Sequence, residues 1–310
     1  MSGIAALFER DGRPASEARI ERMLVALSLR GPDRSAYVAR GPVALGHAML
    51  ETTLEDAFDR QPRRDRSVER FLVADARIDN RDELLRLRGL GDAPASETPD
   101  SELILWAYDR WGSNCPEHLV GDFAFALWDG PSQSLFCARD HLGVRPLYYA
   151  DDAKAFRCAS EMSALFVDPR VRAVPHRTSM ILTLVSEYLE REETLWEGVL
   201  ALPAGHTLVV TREGLRKQAF WRPDPHRRVR HISDDAYAEH FGAVFDEAVR
   251  CRLRSRGPVA AQVSGGLDSS SIACASARLV ETGAASADLS FTRFVFPGTP
   301  ADESAFSDAV

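Results

Sequence analysis

Apolar positions along the chain recur with two periods. Residues 2–8 are one short apolar run, which predicts a strand. Between 16 and 29 the spacing becomes helical, with Ile20, Met23, Leu24 and Leu27 on one face. Strand-like runs follow at VALGHAML (43–50), RFLVADARI (70–78), FAFALWD (123–129), LFCARD (135–140), PLYYADD (146–152) and AFRCASE (155–161). Phe123, Phe125 and Leu127 alternate, and the intervening DGPSQS carries turn chemistry, so this stretch predicts a β-hairpin. SELILWAYDRW (101–111) reads as a helix that interrupts the strands. The first part of the chain is therefore expected to be a strand-rich α+β layered domain.

FWRPDPHRRVRHIS (220–233) changes the texture, with two prolines and a basic cluster at Arg227, Arg228 and Arg230. It reads as a solvated linker, because acids sit among the bases and aromatic interleaving is lacking. Ser233 is placed as an N-cap. Tyr237, Phe241, Val244, Phe245, Ala248, Val249 and Leu253 then form one stripe, which predicts an amphipathic helix over 234–254. PVAAQV (258–263) reads as a fully buried strand, SSSIACASARLVETG (269–283) as a helix with Gly283 near its C-terminus, and LSFTRFVF (289–296) as a second buried strand. Strand, helix, strand predicts a parallel βαβ unit.

The 310 residues suit two domains. A net charge of -8 argues against a general polyanion binder such as a nucleic-acid protein. The five cysteines have no CxxC spacing, and the N-terminus meets charge too early for a signal-peptide core. No apolar run is long enough to span a bilayer. These features predict reduced thiols and a cytoplasmic protein that does not associate with membranes.

The chemistry concentrates in VSGGLDSSS (263–271), where the apolar run stops at two glycines. Gly265 and Gly266 let the backbone approach a ligand at a helix N-terminus, which is an anion site suited to phosphate. Ser264, Ser269 and Ser270 add hydroxyl donors. Asp268 would repel bare phosphate, but it suits a Mg2+ ion bridging to nucleotide phosphates. The Gly-Lys-Ser/Thr ending of a Walker A loop is absent. SGGLDSS instead resembles the signature of the ATP-pyrophosphatase (PP-loop) families, which cleave ATP to AMP and pyrophosphate.

With the N-terminal half included, the chain resembles the asparagine synthetase family along essentially its whole length. The motifs that carry the resemblance are LRGPDRSA (29–36), RDHLGVRPLYY (139–149), ASEMSAL (159–165), LPAGH (202–206) and the glycine-serine loop, in that order. The resemblance implies an α+β N-terminal nucleophile hydrolase-like sandwich followed by the start of an α/β parallel-sheet PP-loop domain. It implies a class II glutamine amidotransferase-like domain over 1–220, a linker over 221–233 and the N-terminal part of an ATP-binding domain over 234–310. ATP and Mg2+ are the implied cofactors. Val263, Ser264, Gly265, Gly266, Asp268, Ser269 and Phe294 are the implied nucleotide contacts, with Asp268 acting through Mg2+.

Departures from the family pattern fall on the glutamine site. The family's nucleophilic cysteine follows the initiator methionine, and Ser2 stands there. Its Asn-Gly-Glu oxyanion stretch falls at Asp75, Ala76 and Arg77, where a carboxylate opposes an oxyanion. The arginine that grips the glutamine carboxylate falls at Met49. Asp100 keeps the pattern for the substrate amino group, so it is the remnant of that site. Glutaminase activity is therefore not expected.

A protein of this family without its own ammonia supply points to another amine. RFVFPGTPADESAFSDAV (293–310) resembles the lasso-peptide macrolactam cyclases, while its plain reading is a strand-turn-helix with Asp302 and Glu303 in the helix's first turn. The substrate is then a small-molecule or peptide carboxylate. The choice between macrolactam closure, β-lactam closure and asparagine synthesis stays open. The family's second acidic segment for Mg2+-pyrophosphate is absent, so the chain reads as C-terminally truncated and is not expected to complete ligation alone. An exposed apolar edge is expected at 259–263 and 289–296, inviting a homo-oligomer or pairing with a C-terminal half. The rival reading is a non-catalytic remnant that acts as a binding domain.

Overall fold

The computed structural model of the chain describes residues 1–65, 67–89, 95–187, 192–300 and 302–310. They form two compact units, one of residues 1–51 and 55–223, the other of residues 52–54 and 224–310. The first unit runs β1 (Gly3–Glu9), α1 (Glu17–Ala26), β2 (Arg34–Arg40), β3 (Val43–Met49), β4 (Arg63–Asp65), β5 (Arg70–Ile78), α2 (Arg81–Arg88), α3 (Asp100–Trp111), β6 (Gly121–Asp129), β7 (Ser134–Arg139), β8 (Tyr148–Asp151), β9 (Ala155–Ala159), α4 (Met162–Leu165), α5 (Arg177–Leu184), β10 (Leu200–Ala201), β11 (His206–Val210) and β12 (Leu215–Ala219). The predicted hairpin is β6–β7, paired from Ala124–Arg139 to Asp129–Ser134.

Two six-stranded antiparallel sheets stack face to face, in the orders β10-β8-β9-β1-β3-β2 and β12-β11-β7-β6-β5-β4. β1 is buried at every residue because both its faces are covered. Ile4, Ala6 and Phe8 enter the layer between the sheets, against Phe71, Val73 and Trp128. Ala5 and Leu7 face outward onto Ile20, Met23 and Leu24 of α1. β5 splits the same way, with Leu72 and Ala74 lying under Leu103, Ile104 and Ala107 of α3. The result is a helix-sheet-sheet-helix sandwich, the layered α+β domain that the patterning predicts. β2 is missed by patterning. It is an edge strand, RSAYVAR, bounded by arginines and bonded only to β3, so it needs no continuous apolar face.

The second unit holds α6 (Asp234–Arg252), β13 (Val259–Gln262), α7 (Leu267–Glu281), β14 (Leu289–Thr292) and α8 (Ser304–Ser307). Ser233 caps α6 as expected, its Oγ accepting the Ala236 N–H at 3.2 Å. The α6 stripe is only partly covered. Val249 and Leu253 pack on Ala275 and Leu279 of α7, whereas Tyr237, Phe241 and Val244 are exposed. β13 and β14 pair in parallel from Val259–Leu289 to Gln262–Thr292, as the βαβ reading requires.

Three expectations fail here. Neither strand is fully buried, because each has a single strand neighbour among the described residues. The strand containing Phe291 also stops at Thr292, so Arg293–Phe296 lie beyond it, and Phe291, Phe294 and Phe296 are exposed. Asp302 and Glu303 precede α8 instead of forming its first turn. Asp302 accepts the Ser304 N–H at 3.1 Å, and Glu303 is the N-cap residue.

Candidate functional site

In the first unit the site predicted around Ser2 is assembled by the motif residues. Arg30, at the end of the turn after α1, donates from Nε to the Ser2 carbonyl at 2.7 Å, from Nη1 to Glu161 at 2.6 Å and from Nη2 to Asp75 at 3.3 Å. The next residue, Gly31, passes so close to β3 that a Cβ there would lie 2.0 Å from the Ala48 carbonyl oxygen. That contact is with backbone, which cannot swing away. Gly31→Ala is therefore expected to destabilise the first unit by about 3 kcal/mol, read from urea unfolding. An unchanged midpoint would mean that the turn can move.

RDHLGVRP holds a second arginine at the same place. The Asp140 carboxylate accepts N–H groups of Leu142, Val144 and Arg145 at 3.1, 2.9 and 2.9 Å. Arg139 ties that loop to the LPAGH segment through the Gly143 and Leu202 carbonyls, both at 2.6 Å. The loop thus fixed puts Arg145 Nη1 3.4 Å from Asp75 Oδ1. In ASEMSAL, Ser160 Oγ accepts the Ile4 N–H at 3.0 Å and locks the start of β1.

Asp75 is the centre of this cluster. It is 3% exposed, accepts the Ser2 N–H at 3.1 Å and faces the guanidinium groups of Arg30 and Arg145. Ser2 Oγ accepts the Leu50 N–H at 3.1 Å. Met49 takes a contact from Arg34 Nη2 at 3.6 Å. Asp100, the predicted remnant, is engaged within the chain. It accepts the Ile78 N–H at 3.0 Å and a hydrogen bond from Arg81, whose other nitrogen reaches the Thr98 carbonyl at 2.6 Å. Every group that the sequence reading assigned to a glutamine ligand thus has a partner inside the protein. The partners Arg30, Arg81 and Arg145 were not assigned roles from sequence. Two of them stand inside the recognised motifs, which was the available signal.

In the second unit, β13 leads through Val263, which is buried, into the loop and then into α7. Ser264 and Ser269 bond through their hydroxyls at 3.0 Å, and Ser269 Oγ also accepts the Ser264 N–H at 3.1 Å. Gly265 has φ +83, and a Cβ there would meet the Phe306 Cβ at 2.4 Å. Glycine is required by both conformation and space. Asp268 is exposed in the first turn of α7, where N–H groups lack intrahelical acceptors. The Ser270 hydroxyl is buried without a hydrogen-bond partner among the described residues. A cavity of about 340 Å3 beside the loop is lined by Val263, Cys274, Phe291, Arg293 and Val310. Phe294, predicted as a strand contact, stands outside β14 and is 69% exposed.

This donor set fits nucleotide phosphates. It does not by itself hold a metal, since no group of three His, Cys, Asp or Glu among the described residues is placed to do so. Asp268 would be one ligand, and the phosphates and water would supply the others. No helix among the described residues is long and apolar enough to cross a membrane.

A family model described as "Glutamine amidotransferase domain" matches residues 1–221, and one described as "Asparagine synthase" matches 240–310. The chain belongs to the glutamine amidotransferase domain family and is homologous to asparagine synthetases. It is 31% identical over 259 residues to asparagine synthetase [glutamine-hydrolyzing] 3 of Bacillus subtilis (strain 168), covering 82% of this chain and 41% of that one. It is 28% identical over 302 residues to amidase chyE of Penicillium rubens, covering 91% and 44%. The chain thus spans less than half of either relative. The fold is similar to that of glutamine phosphoribosylpyrophosphate amidotransferase from B. subtilis, with a TM-score of 0.51 at 16% identity, over 93% of this chain and 65% of that one.

Proposed function

We propose that the chain is part of an ATP-dependent carbon–nitrogen ligase of the asparagine synthase type, in which residues 1–220 have lost glutaminase chemistry. In this reading, residues 234–310 bind the phosphates of Mg-ATP, a substrate carboxylate is adenylated with release of pyrophosphate, and an amine then displaces AMP. The strand-loop-helix unit with Gly265, Gly266, Asp268 and Ser269 carries the proposal. Glycine supplies the close approach, the N-terminus of α7 faces the anion, and Asp268 reaches a magnesium ion on the phosphates. The amine comes from a substrate other than glutamine, as in macrolactam cyclases, or from free ammonia, as an asparagine synthase homologue would use.

The test is equilibrium binding of Mg-ATP to the chain. Asp268→Ala is expected to weaken binding at least about tenfold, and removal of Mg2+ is expected to do the same. Binding that is indifferent to both changes would remove the metal role of Asp268. A chain that does not bind Mg-ATP at all would favour the second reading, a non-catalytic binding domain. That reading is supported by the contacts at the predicted glutamine site, where Ser2, Asp75 and Asp100 each have a partner within the chain.

A further inference from the structure

Cys137 on β7 and Cys158 on β9 belong to opposite sheets and both point into the layer between them. They are 0% and 1% exposed, and their sulfurs lie 3.9 Å apart. We propose that this pair is an oxidation site that closes to a disulfide joining the two sheets. A disulfide brings sulfurs to about 2.05 Å, so the two side chains must close a gap of roughly 1.9 Å. Inward-facing cysteines on opposed sheets are the arrangement by which immunoglobulin-type sandwiches carry an inter-sheet disulfide. The surroundings are apolar: Leu147, Tyr149, Phe156 and Leu208 share the cluster. The hydrogen bond to Cys158, and then burial, push the Cys137 thiol above its ordinary range. Burial keeps bulky external disulfides out, so the competent oxidant is a water-sized hydroperoxide admitted when thermal opening exposes a sulfur and lets it ionise.

One sulfur attacks the peroxide. An S–O bond forms, the O–O bond breaks, and water leaves with the thiol proton. The second sulfur then displaces the sulfenic oxygen as water while the S–S bond forms. Two thiols and one hydrogen peroxide give one disulfide and two waters, with two electrons passing from sulfur to peroxide.

The experiment treats the folded chain with hydrogen peroxide, alkylates the remaining thiols after denaturation and maps the peptides by mass. A linked Cys137–Cys158 peptide pair is expected, about 2 Da lighter than the two free peptides together. The thermal midpoint is expected to rise by about 5 °C, reversibly on reduction. Cys274 is exposed and is expected to react first, so its oxidation serves as the internal control. Full alkylation of Cys137 and Cys158 after Cys274 is consumed would overturn the proposal, as would oxidation of either one to sulfinic acid without a crosslink. In Cys158→Ala the rise on oxidation should vanish, and a rise that persists would also overturn it.

Discussion

The chain is expected to release no ammonia from saturating glutamine, and Ser2→Cys is expected to leave that result unchanged. The missing nucleophile is the smaller defect. Removing one oxyanion donor costs acyl-transfer chemistry about 100- to 1000-fold, and the family resemblance puts the Asp75 carboxylate at the donor position. Asp75 Oδ1 also lies 3.1 Å from the Ser2 nitrogen. If Met1 is removed, the new α-amine lies beside this carboxylate, which is already held by Arg30 and Arg145. Met49 carries no cation, and Asp100 is held by Arg81 within the chain. Activity in Ser2→Cys alone would refute this account. Recovery should require Asp75→Asn, Ala76→Gly and Met49→Arg as well. Asp75→Asn alone removes the carboxylate that faces the mostly buried Arg145, so a loss of about 2 kcal/mol in stability should accompany it.

Acidification from pH 6.5 to 4 is expected to reduce the stability of the first unit by about 3 kcal/mol, and His47 is the main cause. His47 sits on β3 between Ile4 of β1 and Ala36 of β2 and is 3% exposed. Its Nε2 has no hydrogen-bond partner among the described residues. Burial pushes its pKa down to about 4, against the pull of Asp59 and Asp75. The unfolded chain protonates this imidazole near 6.5 and the folded chain only near 4. Between those values the unfolded state binds more protons, so stability is lost as pH falls through the window. His141 is also lowered by burial and adds a smaller share. Carboxylates held low by arginines, such as Asp168, lose their contribution only below the ordinary carboxylate range and act later. Urea unfolding at several pH values should show a steep slope that His47→Gln largely flattens. Parallel slopes for the two proteins would rule out His47 as the source.

The two predictions concern residues that were differently visible in the sequence. Ser2, Met49 and Asp75 were found because ordered motifs fixed the alignment around them. His47 was passed over, since a lone histidine inside an apolar run carries no pattern. Most strands were legible for a physical reason. A strand covered on both faces, such as β1, is a short unbroken apolar run, and the β6–β7 hairpin adds turn residues between two such runs. β2 and β12 were not legible, because an edge strand with partly exposed faces tolerates arginine and lysine. The α6 stripe was read correctly as a helix and too generously as a buried face, since periodicity reports where a helix can be covered and not what covers it.

By itself the sequence determined the layered α+β class and the βαβ unit, and it carried the resemblance from which the loss of glutaminase chemistry is proposed. Those are properties of spacing and side-chain chemistry, which need no coordinates. Only the tertiary structure decided that Asp75 and Asp100 are each held by arginines. Arg30, Arg81 and Arg145 come from three separate segments, and only folding brings their guanidinium groups onto Asp75 and Asp100. It likewise decided that Cys137 and Cys158, on different sheets, share one contact. Such pairings depend on how sheets stack and loops cross, and no local pattern along the chain encodes them.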